Sequence, residues 1–137
     1  MTPLDVVKFS SAFAMLMQHQ RGRKDITIVI GRDARISGGM VSGLVTYTLI
    51  GMGCHVIDLG LSTTPTVEIA VPIEKADAGI ILTASHNPKQ WNALKLLNHE
   101  GEFISSEEGQ KVLAIADAES FEYAEVDDLG EYKEDDT

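Results

Sequence analysis

A three-layer α/β/α sandwich on a mixed, mainly parallel sheet of about four strands is the fold class this sequence predicts. Two observations predict it. Short β-branched runs alternate with longer apolar-periodic stretches from the start of the chain to Thr83, the pattern of parallel strands joined by right-handed crossover helices. The next strand-like run, Ala93 to Asn98, follows after a connection of roughly ten residues with no helix in it, which suits an antiparallel neighbour.

Each element has its own signal. Thr2-Pro3 reads as an N-cap and a proline at the first helical position. Leu4, Val7, Phe9, Phe13, Leu16 and Met17 then trace one apolar face to about Gln20. Arg21 to Asp25 is a polar break, and Ile26 to Ile30 a buried strand. Ser37 caps a second helix through Met40, Val41, Leu44, Val45, Leu49 and Ile50, which Gly51 and Gly53 end. Cys54 to Leu59 is the second strand. Thr63 or Thr64 caps a third helix from Pro65 towards Ala76, with Pro72 as a possible interruption. Ala78 to Thr83 is the third strand. Ser105 or Ser106 caps a last helix from Glu107 to about Ala118, with Val112, Leu113 and Ile115 inward.

Composition narrows the function classes. Hydrophobic residues make up 44% and charged residues 23% of the 137, a composition ordinary for a soluble globular protein with a core. No apolar run approaches the ~18 residues of a membrane span, and the N-terminus lacks a signal peptide's pattern. The single cysteine, Cys54, makes no internal disulfide, fits a cytoplasmic location and reads as a buried, inert thiol. Most of the net charge of −10 sits between Glu119 and Thr137, where nine carboxylates face Lys133 alone. That stretch reads as a solvated acidic linker, and the near-neutral body offers nothing basic and aromatic for nucleic acid.

Ligands of open α/β sheets bind beyond the carboxyl ends of the strands. Three loops leave those ends. The first carries Arg32, Asp33, Arg35 and Ser37, the second Ser62, Thr63 and Thr64, the third Ser85, His86 and Asn87. Cations, hydroxyls and amides with few carboxylates suit an anion, most simply a phosphate. No Gly-x-Gly-x-x-Gly or P-loop is present, and the four histidines have no zinc-like spacing. Ser85 and His86 are adjacent, so on an extended segment they project to opposite sides and make a poor hydrolase pair. A serine also serves in phosphoryl transfer, accepting and returning the group, a role for which Lys95, near Arg32 or Arg35, is available as proton carrier. Taken singly, Ser85, Asn87-Pro88 and Lys95 also read as turn and surface residues, Arg32 and Asp33 as an ion pair, and Trp91 as a packing anchor.

Thr83-Ala-Ser-His-Asn-Pro88 with Asn92-Ala-Leu-Lys95 closely resembles the phosphoserine loop of the α-D-phosphohexomutases. Gly31-Arg-Asp-Ala-Arg-Ile-Ser37 resembles their second motif, and Asp58-Leu-Gly-Leu-Ser-Thr-Thr-Pro-Thr66 their third. The resemblance implies an enzyme that interconverts hexose 1-phosphates and 6-phosphates through a bisphosphate. It makes Ser85 the phosphoryl carrier, which binds Mg2+ through its phosphate, and Lys95 the acid/base. His86 and Asn87 become the residues around the phosphoserine, and Arg32 a phosphate ligand of the cleft. It further implies hexose 1,6-bisphosphate as activator and intermediate, and a hexose phosphate and the remaining domains of the same protein as partners. On this reading residues 1–118 are the phosphoserine domain and 119–137 an acidic linker towards a missing second domain. Such a fragment is expected to fold and to be inactive alone. The competing reading is a non-catalytic sugar-phosphate-binding or anion-binding module. Which hexose is used lies outside these residues.

Overall fold

The computed structural model of the chain describes residues 3–32, 40–82, 94–119, 121 and 123–134. In chain order these form α1 (Pro3–Arg21), β1 (Thr27–Arg32), α2 (Met40–Gly51), β2 (His55–Leu61), α3 (Thr64–Ile73), β3 (Ala78–Leu82), β4 (Leu94–Leu97), α4 (Ser106–Ala118) and β5 (Tyr132–Glu134). A 3-10 turn, Val126–Asp128, precedes β5. The sheet order is β4-β3-β1-β2-β5. β1 runs parallel to both β2 and β3, and β2 to β5, while β4 returns antiparallel beside β3. The expected caps Thr2 and Ser37 lie outside the described residues, whereas Thr63 and Ser105 cap α3 and α4. Ser105 does so in a capping box with Glu108.

The sheet has five strands rather than about four, and the fifth comes from the stretch read as an acidic linker. Its backbone is held independently of its charge. The Gly130 N–H donates to Ile50 O at 3.0 Å and the Val56 N–H to Glu131 O at 2.8 Å. A side chain at Gly130 would overlap the Cys54 carbonyl, so only glycine lets the chain pass there. The Glu131 N–H donates to His55 Nδ1 at 3.0 Å, and the Tyr132 hydroxyl to Asp58 Oδ2 at 2.7 Å. Burial first, then Asp58, raises the Tyr132 phenol above its ordinary value, so it remains a donor. The strand itself is exposed, which leaves Lys133 and Glu134 solvated.

Two cores flank the sheet. Even-numbered residues of β1 (Ile28, Ile30) and β3 (Ala78, Ile80, Leu82) face α1, α2 and α4. Odd-numbered ones (Val29, Ile81), with Ile57, Leu59 and Leu97, face α3 alone. Each fully buried Ile or Leu contributes roughly 1.5–3 kcal/mol. α1 departs from a single apolar face. Leu4 is exposed, Val6 is buried, and Ser10 through Ala14 are all buried because α1 packs against α2 and α4 as well as the sheet. Small residues at Ser10, Ser11, Ala12 and Ala14 allow that approach. In α4, Val112 and Ala116 face the core and Leu113 is exposed, one position off the expected stripe.

The α3 side depends on two strand glycines. A methyl group at Gly31 would overlap Val67 Cγ2, and one at Gly79 would sit 2.7 Å from Val71 Cγ2. Their absence of side chains brings α3 onto β1 and β3. Pro72 does not stop this helix, which runs one residue further. Lacking an N–H, Pro72 leaves the Glu68 carbonyl without its helical donor, and Gly101, at φ +79°, packs its backbone against that carbonyl.

The amino ends of the strands meet at one carboxylate. Asp77, 1% exposed, accepts from Arg21 Nε and Arg23 Nη2 at 2.8 Å through Oδ1, and from the Thr27 N–H at 2.8 Å through Oδ2. Its own N–H donates to Thr27 O at 2.8 Å. The stretch Arg21 to Asp25, read as a polar break, thus supplies the counter-charges. No helix among the described residues is long and apolar enough to cross a membrane.

Three outcomes follow. Asp77→Ala strips the Thr27 N–H and two guanidinium groups of their acceptor, and is expected to cost about 2–4 kcal/mol in urea unfolding. Gly31→Ala is expected to cost about 1–3 kcal/mol by overpacking against Val67. Cys54 is fully buried, and desolvation pushes its thiol up to about 12. Native protein should therefore resist iodoacetamide even at pH 9, while the urea-unfolded chain is alkylated; rapid native alkylation would contradict the packing.

Candidate functional site

The carboxyl ends of β1, β2 and β3 lie side by side, and the loops that leave them are the ones the sequence singles out. β1 ends at Arg32, which is level with Leu82 on β3 and with Leu61 on β2. Arg32 is partly buried. A bulge in β2 makes the last pairing possible. Ile30 faces Asp58, but Arg32 faces Leu61, so β2 carries one extra residue there. Gly60, at φ +71°, absorbs it, and its N–H donates to Asp58 Oδ1 at 2.8 Å. Asp58 thereby holds both the bulge and, through Tyr132, the edge strand.

The β2–α3 loop is tied to the end of β1, because the Ser62 N–H donates to Arg32 O at 2.8 Å. Thr63 then caps α3, accepting from the Thr66 N–H at 3.3 Å, and its Oγ1 lies 2.9 Å from Thr66 Oγ1. The result sets hydroxyls and the positive end of a ten-residue helix beside Arg32. The chemistry offered is donor groups and cations suited to an anion.

Lys95 reaches the same end by a different route. β4 is antiparallel to β3 with Leu82 opposite Leu94 and Ile81 opposite Lys95, so a chain leaving β3 re-enters the sheet at the level where it left. Lys95 is exposed. Alternation puts it on the α3 face with Ile81 and Leu97, whereas Arg32 shares the other face with Ile28 and Ile30. The two cations therefore flank the sheet end from opposite sides, their strands two spacings or about 10 Å apart. The sequence set Lys95 near Arg32 or Arg35; Arg32 is on the opposite face, and Arg35 lies outside the described residues.

Ser85, His86 and Asn87 lie outside the described residues, as do Asp33, Arg35, Ser37 and Trp91. What is described of the third loop is its two anchors, Leu82 and Leu94, both buried and directly paired. Among the described residues no three His, Cys, Asp or Glu side chains gather as a metal site. Two contributors to the site escaped sequence reading. Gly31 was legible only as the start of a loop, though glycine within a strand signals close backbone approach. The β2 bulge had a similar signal in Asp58-Leu-Gly60.

Known proteins similar to this chain agree on one family. Residues 1–123 match the phosphoglucomutase/phosphomannomutase family, alpha/beta/alpha domain I. A phosphoglucomutase/phosphomannomutase of Thermococcus kodakarensis is 36% identical over 135 residues, which cover 98% of this chain and 29% of that protein. A phosphoglucosamine mutase of Alkaliphilus metalliredigens is 43% identical over 81 residues, 59% of this chain and 18% of that protein. In three dimensions, a crystal structure of a phosphoglucomutase/phosphomannomutase family protein from Burkholderia thailandensis superposes with a TM-score of 0.79 at 27% identity, over 99% of this chain and 30% of the other. The chain thus spans about three tenths of the length of such relatives. Matched along nearly all of its described fold, it belongs to the phosphoglucomutase/phosphomannomutase family, as that family's α/β/α domain I.

Proposed function

We propose that this domain carries the phosphoryl-relay serine of a phosphohexomutase, with Ser85 as the carrier. The observation that supports the reading best is the antiparallel return of β4. It anchors both ends of residues 83–93 at the carboxyl end of the sheet, beside Arg32 and the capped start of α3. A segment pinned at both ends by buried, paired residues aims its side chains better than a free loop does.

In the proposed reaction a sugar hydroxyl of a hexose monophosphate attacks the phosphorus on Ser85. The bond from phosphorus to Ser85 Oγ breaks as the bond to the sugar oxygen forms, and the hydroxyl proton passes by way of Lys95 to the departing Ser85 Oγ. The product is a hexose 1,6-bisphosphate. After the sugar turns over, Ser85 takes back the other phosphoryl group, and the Ser85 hydroxyl proton passes by way of Lys95 to the departing sugar oxygen. Arg32, on the opposite side of the sheet end, and the α3 N-terminus offset the phosphate charge. His86 and Asn87 are assigned to the phosphoserine surroundings from their positions in the motif. Mg2+ would supply further charge neutralisation, with the Ser85 phosphate as its ligand from this chain. Among the described residues no three His, Cys, Asp or Glu side chains gather to hold it. The activity is proposed for the longer polypeptide, acting on a hexose phosphate in the cytoplasm, with further domains completing the site.

Mass spectrometry of the longer protein should find phosphoserine at Ser85, and Ser85→Ala should remove both the modification and mutase turnover. Wild-type turnover in that variant ends the relay reading and favours the non-catalytic anion-binding module. Lys95→Met should lower kcat roughly 100-fold or more with KM little changed. An effect on KM alone makes Lys95 a binding residue.

A further inference from the structure

A helix that is apolar all round ordinarily lies inside a protein. α3 is apolar on both its inward and its outward side. Val67, Ala70 and Val71 are buried against the sheet, while Pro65, Ile69, Pro72 and Ile73 project roughly opposite to them, with Ile69 58% and Ile73 70% exposed. Glu68 is the only charged residue in the helix. The patch continues onto Phe103, 52% exposed, whose bridge to Leu97 puts it on the α3 face of the sheet. Gly101, packed on the Glu68 carbonyl and close to Pro72, joins the two parts. The opposite side of the sheet has no such deficit, being covered by three helices.

We propose that this outward face of α3, with Phe103, is a contact between domains, covered by an apolar surface of another domain of the same longer polypeptide. Two arguments select that occupant. Relatives matched over 98% of this chain contain more than twice as much polypeptide besides, so a tethered partner is at hand. The area decides against a second copy. The exposed parts of these side chains amount to on the order of 400 Å², about half of the ~800 Å² per partner that separate chains bury in a stable association. Tethering supplies a local concentration in the mM range, at which a contact of that size holds. Lys95 stands on the same face of the sheet, so the docked domain comes down beside it. The inference rests on membership of a multi-domain family and not on the role of Ser85, which the phosphoserine measurement tests separately.

Amide hydrogen exchange compares this 137-residue chain with the longer polypeptide. The expected result is exchange at residues 66–73 roughly 10-fold slower or more in the longer protein, with the 137-residue chain sedimenting as a monomer. In the variant Ile69→Lys with Ile73→Lys, the 137-residue chain should keep its urea midpoint, and the longer protein should lose the added protection. Equal exchange of the two unmodified proteins overturns the proposal. So does a dimer of the 137-residue chain that the double variant dissociates, which would make a second copy the occupant.

Discussion

The buried carboxylate of Asp77 is the constraint on which the alignment of the sheet depends. An ionised group with 1% exposure is tolerable only when its acceptor positions are filled, and here two guanidinium groups and a backbone N–H fill them. Those donors come from the end of α1, the turn after it and the first residue of β1, while Asp77 itself leads into β3. One side chain therefore brings the amino ends of two parallel strands level. Because parallel strands rise equally per residue, their carboxyl ends are level too, and Arg32 stands opposite Leu82 five residues later. The geometry of the functional end is set at the opposite end of the sheet.

The second constraint is how close α3 lies to the sheet. Gly31 and Gly79 remove two side chains from the contact, and the helix settles onto β1 and β3. Its first turn then reaches Arg32, where the Ser62 N–H meets the Arg32 carbonyl. A bulkier residue at either glycine would lift the helix and with it the Thr63 cap. Pro72 and Gly101 solve a related problem further along, since a carbonyl without a helical donor needs a close backbone neighbour. The cost of this arrangement is an outward stripe of apolar side chains that nothing among the described residues covers.

Much of the fold was legible because its signals are local. Alternating apolar periods marked seven of the main elements to within a few residues, and the short gap before Leu94 marked the antiparallel return. The errors share one cause, which is contact with residues distant in sequence. Leu4 and Leu113 were assigned inward by period, but both are exposed, and Val6, Val112 and Ala116 are among the buried positions of their helices. The acids from Glu119 onward looked solvated, and Glu125, Asp127, Asp128, Glu131 and Glu134 are exposed; the backbone at 132–134 still pairs with β2, since hydrogen bonds between main chains do not depend on side-chain charge.

By itself the sequence determined the fold class, the order of the elements, the inert buried cysteine and which three loops carry polar chemistry, because spacing, caps and turns act over a few residues. Only the tertiary structure decided that Asp77 meets Arg21 and Arg23 from more than fifty positions away, that Arg32 and Lys95 flank the sheet end from opposite faces, and that a fifth strand closes the β2 edge. Each of these depends on strand register and side-chain parity, where a slip of one residue moves a side chain to the other face. Register is set by packing across the whole sheet, so no short stretch of sequence contains it.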